Sequence, residues 1–260
     1  MKTLKFILSC YKLNVKKEWQ YKSSFITQIF LMVLNNLSFV AVLAILFTVV
    51  DNIGGFTFNQ MGALFAIMCG GFAIKHMLFE GASNIKDYIY NARLDVYMTQ
   101  PKNLLLNVSC SQTSISAIGD LICGIVILII ANATWWWYLA YIPVSIIVGL
   151  IYFGFYVFWI SFAFYIKAGD ALAKVAEDTT MKASVYPRAI YDNIARIIFA
   201  TAIPVTLFAF IPMESIFLSF NIWGIVILLA GTLFWLTLAF TFFKISVRRY
   251  TSGSVMGGRY

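Results

Sequence analysis

The sequence predicts an all-α integral membrane protein: an amphipathic helix on the membrane surface followed by six transmembrane helices, with both termini in the cytoplasm. Three observations predict it. Hydrophobic residues fill 61% of the 260 positions and charged residues only 12%, where a soluble domain uses roughly a quarter charged residues to cover its surface. Lys and Arg are absent from residues 23–74, 103–166 and 197–243, and all three stretches are apolar. A span needs about 20 residues, so each stretch holds an out-and-back hairpin. The basic residues between the stretches then lie on one side, which the positive-inside rule makes the cytoplasm. The net charge of +8 belongs to that surface, so no nucleic-acid partner is expected, and so little charge leaves no room for a catalytic domain outside the bilayer.

The first 22 residues place Lys2, Lys5, Lys12, Lys16 and Lys17 beside Leu4, Ile7, Leu8, Tyr11, Val15 and Trp19 at three- and four-residue intervals. That pattern is an interfacial helix, too charged to cross the bilayer. Spans follow at 24–49 and 58–79, joined by an outer turn, Asp51 to Thr57, with Gly54 and Gly55. Asn35 and Asn36 sit inside the first span, as pathway residues or as hydrogen-bonding glue between helices.

Residues 80–103 mix Lys86, Asp87, Arg93, Asp95 and Lys102 with Tyr88, Ile89, Tyr90, Leu94, Val96, Tyr97 and Met98 at near-helical spacing. A turn between spans needs only a few residues. A mixed excursion of this length reads as a docking surface for another protein or the membrane face, against the plainer reading of a solvated amphipathic linker.

Spans three and four are expected at 105–131 and 138–166, with Trp135, Trp136 and Trp137 as an aromatic belt at the outer interface. Asp120 is the one ionisable residue at depth, near Ser114, Ser116 and Gly119. It either faces a polar translocation cavity or locks two helices together. A second cytoplasmic segment, 167–191, carries Asp170, Lys174, Glu177, Asp178, Lys182 and Arg188 and closes at Tyr186-Pro187. The last spans fall at 192–211, kinked by Pro204 and ended by Ile211-Pro212, and at 219–243. Asp51 and Glu214 are then the outer charges, and residues 1–260 form a single transmembrane domain.

Several chemistries lack their parts. None of the four cysteines falls in an outer turn, so no disulfide is expected. His76 is the single histidine, too few for a histidine-based metal site or a triad, and reads as an interfacial residue. No Gly-Lys dipeptide exists, so the phosphate-cradling loop that ends in Gly-Lys-Ser/Thr is absent. Gly253, Gly257 and Gly258 read as a flexible tail. The chain is expected to be no enzyme and to hold no cofactor.

Residues 80–253 resemble the type-2 export permeases of ATP-binding-cassette transporters, and more closely their six-span uncharacterised group. The likeness rests on Ala92-Arg93-Leu94-Asp95 where the family has Gly-x-Leu-Asp, then Met98-Thr99-Gln100-Pro101-Lys102-Asn103. It continues through Ile118-Gly119-Asp120-Leu121, Tyr186-Pro187-Arg188-Ala189-Ile190-Tyr191, Ile203-Pro204-Val205 and Ile211-Pro212, and closes with Arg249-Tyr250-Thr251-Ser252-Gly253. Ala92 stands for the family's glycine and Gln100 for its usual basic residue.

The resemblance implies an elbow helix at 1–22 and a coupling segment at 80–103 that docks on a separate ATPase. Asp87, Arg93, Leu94, Asp95, Tyr97 and Pro101 are its contact residues, and Asn35, Asn36 and Asp120 are pathway candidates. It also implies two copies of an ATPase subunit holding ATP and Mg, and a second permease chain, identical or homologous. The setting is multi-pass in the lipid bilayer of a bacterial plasma membrane, and the cargo hydrophobic or amphipathic: drug, antibiotic, peptide or lipid. Two other readings compete: an ion-coupled secondary transporter working through Asp120, and a non-transporting membrane anchor.

Overall fold

The computed structural model describes residues 2–251; the expected glycine-rich tail from Ser252 onward lies outside the described residues. The protein is all-α, with no strand among the described residues. Helix α1 (Lys2–Glu18) turns through Trp19–Tyr21 into α2 (Lys22–Leu46). Phe6, Ile7 and Cys10 of α1 pack inward while Leu4, Leu8 and Leu13 stay exposed, as an interfacial helix requires. Asn14 Nδ2 donates to Cys110 O at 3.1 Å and Thr113 Oγ1 at 3.2 Å, clamping α1 to the bundle.

Helix α3 (Phe58–Phe79) starts where Gln60 Oε1 accepts from Thr57 N at 3.0 Å, a capping-box contact that satisfies an orphan donor. It forms the centre of the bundle. Its most apolar stretch is 78% buried, against 17% for α1–α2 and 22% for the last helix, so the flanking helices leave their apolar sides uncovered. Around α3 pack α7 (Ser116–Ile130) and α8 (Trp135–Ile160); α2 lies on α7, and α11 (Ile222–Val247) on α8. Three short helices, α4 (Ile85–Tyr90), α5 (Leu94–Met98) and α6 (Leu104–Ser109), fill one end of the bundle. Two apolar clusters result. One, built on Leu64, Ile67, Tyr152, Phe155 and Phe208, runs through the middle; the other, built on Phe79, Ile85, Tyr88, Leu94, Val108 and Phe153, roots the short helices.

Three expectations are corrected. The third span is not continuous over 105–131. α6 ends at Ser109, the chain turns through Cys110–Ile115, where Ser114 N donates to His76 O at 3.0 Å, and α7 begins at Ser116. The run of Ser111, Thr113, Ser114 and Ser116 competes for backbone groups there and favours a break.

Residues 167–191, expected as a surface excursion, are packed into the bundle. Helix α9 (Gly169–Ser184) packs along α8 and α3. It begins beside α4, where Lys86 Nζ donates to Asp170 Oδ1 at 2.8 Å. It continues to Pro187, Ala189 and Ile190, which crowd Gly54 in the turn between α2 and α3. The segment therefore joins the two ends of the bundle. Its inward face is small and self-satisfied: Ala173, Ala176, Ala183, and the hydroxyls of Thr180 and Ser184 donating to carbonyls one turn back. Five charges hid it from an apolar-run criterion, because the partners of two of them, Asp170 and Glu177, lie on other helices. Arg188 consequently lies at the end of the bundle that holds Gly54, and shares a cleft there with Arg196, Glu214 and Phe56.

The segment expected as span five is bent. α10 (Asn193–Thr201) and the helical stretch Thr206–Leu218 meet at 83°. Pro204 removes a backbone donor at the bend, and wide π-type turns over Thr206–Phe210 and Met213–Leu218 follow it. By length and composition four helices among the described residues qualify to cross a membrane, Thr3–Leu46, Phe58–Tyr90, Trp135–Phe164 and Ile222–Val247, or five if the bent pair is one span.

Candidate coupling segment and translocation pocket

The candidate coupling segment, 80–103, is a bracket of short pieces rather than one helix. A tight turn, Glu80–Asn84, leads into α4, and the chain reverses at Ala92 before α5. Ala92 sits at φ +55°, the left-handed region that favours glycine and costs an L-residue about 1–2 kcal/mol. The residue that replaces the family's glycine thus occupies the one place in the segment where glycine would be relaxed.

Ile85, Tyr88, Ile89 and Leu94 are buried and fix the bracket to the bundle. The Tyr88 ring lies tilted against that of Tyr97 at 5.3 Å, and its hydroxyl meets Ser111 Oγ at 3.1 Å and Gln112 Nε2 at 3.2 Å. Of the expected contact residues, Asp87, Arg93 and Pro101 are exposed, Asp95 and Tyr97 are half-buried, and Leu94 is fully buried. Leu94 is therefore corrected to a root of the segment, since no partner can reach it. Tyr90, Val96 and Met98, at 37%, 62% and 47% exposure, complete the outward face. For Val96 and Met98, alternation with the half-buried Asp95 and Tyr97 was the signal that could have found them.

The carboxylate of Asp95 lies by Tyr250, where burial first, then the hydrogen bond to Asp95 and last its charge push the tyrosine hydroxyl up to about 12. Two motifs far apart in the chain meet there. Lys86, held by its hydrogen bond to Asp170, is raised above the usual lysine value.

Within the bundle, a pocket of about 250 Å³ opens between α2, α3, α7 and α9. Met32, Phe39, Phe65 and Met68 wall it, and Asn35, Asn36, Asp120 and Lys182 supply its polar atoms. The structure thus brings together the three pathway candidates named from the sequence. Asn36 Nδ2 donates to Asp120 Oδ1 at 2.6 Å. Gly119 makes the approach possible: a Cβ there would lie 2.7 Å from Ile29 O, so only glycine lets α7 and α2 run this close.

One cluster was not legible in the sequence. Lys75, fully buried, pairs with Glu177 at 2.8 Å and lies 3.9 Å from the centre of the Tyr156 ring. His76 stands between Glu177, at 3.4 Å, and Glu80. This ties the end of α3 to α9. Lys75 had served only as a topology marker, and nothing local in the sequence points it at Glu177. No group of histidine, cysteine and acidic side chains among the described residues is arranged to hold a metal, and the cysteines are free.

No curated protein and no solved structure matches the chain. A family model described as ABC-2 family transporter protein matches residues 19–254. With nearly the whole chain inside that match, from the elbow turn to the tail beyond α11, the protein belongs to the ABC-2 transporter family as a membrane-spanning permease.

Proposed function

We propose that the chain is one of two permease subunits of an ATP-driven exporter in a bacterial plasma membrane. Two copies of a separate ATPase hold ATP and Mg, and the second permease is an identical or homologous chain. The cargo is a hydrophobic or amphipathic compound. The observation that carries this reading is the outward face of the bracket, Asp87, Tyr90, Arg93, Val96 and Met98, backed by a buried root. A face of mixed charge and apolar residues on a rigid base suits transient docking of a soluble partner.

The same geometry suggests how a push on the bracket travels. Lys86–Asp170 links α4 to the first turn of α9, and Lys75–Glu177 links α3 to α9 further along. Displacing the bracket therefore shifts α9 against α2 and α7, which changes the walls of the pocket. Two discrete positions of α9 would convert ATPase closure into alternating access.

The test is to tag the chain in its host, extract it gently and identify stoichiometric partners by mass spectrometry. An ATPase subunit is expected, and the number of distinct permease chains beside it separates homodimer from heterodimer. Arg93→Glu with Val96→Asp should lose the ATPase while keeping the fold. Repeated isolation of an intact complex without a nucleotide-binding subunit would overturn the proposal. The ion-coupled carrier rests on Asp120 alone, and its signature would be gradient-driven uptake by the chain without any ATPase. The anchor reading predicts no cargo-stimulated ATP hydrolysis in a reconstituted complex.

A further inference from the structure

We propose that the pocket between α2, α3, α7 and α9 binds a small apolar compound carrying one ammonium group. Asp120 is the counter-charge and Asn36 the residue that aims it. Asp120 is 3% exposed, and while its Oδ1 accepts from Asn36, its Oδ2 is buried without a hydrogen-bond partner. An unfilled acceptor on a buried carboxylate is expensive to maintain. The nearby cations do not fill it. Lys75 is spent on Glu177 and His76 on Glu177 and Glu80, and Lys182 lines the pocket without an ion pair to Asp120 among the described residues.

The walls point to the same ligand. Met32 and Met68 with Phe39, Phe65 and Phe72 line the space; aromatic rings can attract cations, and methionine adapts to varied apolar shapes. At about 250 Å³ the pocket lies just below the drug-sized range of about 300–1,000 Å³. One or two rings on an ammonium fit; a peptide or glycan chain does not. Naming this ligand as cargo rests on the proposed function, but the binding step needs neither ATP nor a partner.

The experiment uses the full chain in lipid nanodiscs, without nucleotide, and calorimetry with three probes of one shape: 4-phenylbutylammonium, 4-phenylbutanol and 4-phenylbutyrate. The wild type should bind the ammonium at least tenfold more tightly than the alcohol, and the carboxylate not measurably. Asp120→Asn should bring the ammonium down to the level of the alcohol with both still bound, and Met68→Trp, which fills the space, should abolish binding of both. Equal binding of ammonium and alcohol by the wild type would overturn the proposal. So would an ammonium preference that survives in Asp120→Asn, tighter binding of the carboxylate, or full binding in Met68→Trp. Should Asp120→Asn fail to fold, the wild-type selectivity and Met68→Trp decide. Binding without an ATPase in the isolated complex sinks only the transport reading; an ATPase present with no ammonium selectivity sinks only this one.

Discussion

Lys75 Nζ lies 2.8 Å from Glu177 Oε1, joining the last turns of α3 to α9 inside the bundle. Both groups are largely removed from water, with side-chain exposures of 0% and 11%. Their attraction must repay desolvation, so the pair locks geometry more than it adds stability.

Removing Lys75 leaves Glu177 buried with only His76, at 3.4 Å, beside it. Lys75→Met is expected to destabilise the protein by about 3–5 kcal/mol, while the double variant Lys75→Met with Glu177→Leu recovers most of the loss. Thermal unfolding in detergent, run as a double-mutant cycle, checks this. A double variant as unstable as Lys75→Met alone would show that the pair matters through something other than charge.

The contact of Pro187 and Ala189 with Gly54 fixes which loops share an end of the bundle. In a chain with its native cysteines replaced, Asp51→Cys and Arg188→Cys should react with a membrane-impermeant maleimide from the same side. Lys86→Cys should react from the opposite side. Labelling of positions 86 and 188 from one side would restore 167–191 as a wholly cytoplasmic segment.

Ala92 at φ +55° carries local strain in the bracket. Ala92→Gly relieves about 1–2 kcal/mol of it and gives back about 0.4–1 kcal/mol through the freer unfolded chain. The net expectation is a stabilisation of between about 0 and 1.6 kcal/mol, seen as a small upward shift in the unfolding temperature. A clear loss of stability would mean that the left-handed turn is not retained in the membrane.

The hydrogen bond from Lys86 to Asp170 raises the lysine above its usual value. A raised lysine contributes stability that is fully present below the unfolded value, about 10.4, and lost as pH rises through the folded one. Less free amine at a given pH also means slower acylation. At pH 9, Lys86 should react more slowly with an amine-directed reagent than it does in Asp170→Asn, as read by peptide mass spectrometry. Equal rates in the two proteins would remove the tether from the coupling path.

Composition and the spacing of lysines and arginines were enough to place the chain in a membrane and to find α2, α3, α8 and α11, because long apolar stretches between charges have few other folds open to them. Local pattern also marked the elbow helix and the segment after α3, including the outward Asp87 and Arg93. It could not separate Leu94, a buried root, from the exposed residues beside it, since the chain reverses at Ala92 and the helical period is interrupted there.

The remaining features belong to the tertiary structure. α9 passes through the bundle although it carries Asp170, Lys174, Glu177, Asp178 and Lys182, because Lys86 and Lys75 on other helices meet two of those charges. Asn36 reaches Asp120, 84 positions away, only because Gly119 lets two helices run at backbone contact. Asp95 meets Tyr250 across nearly the same bundle end. Hydropathy decides which segments leave water. Where each buried charge finds its partner depends on which helices become neighbours, and that is settled by packing alone.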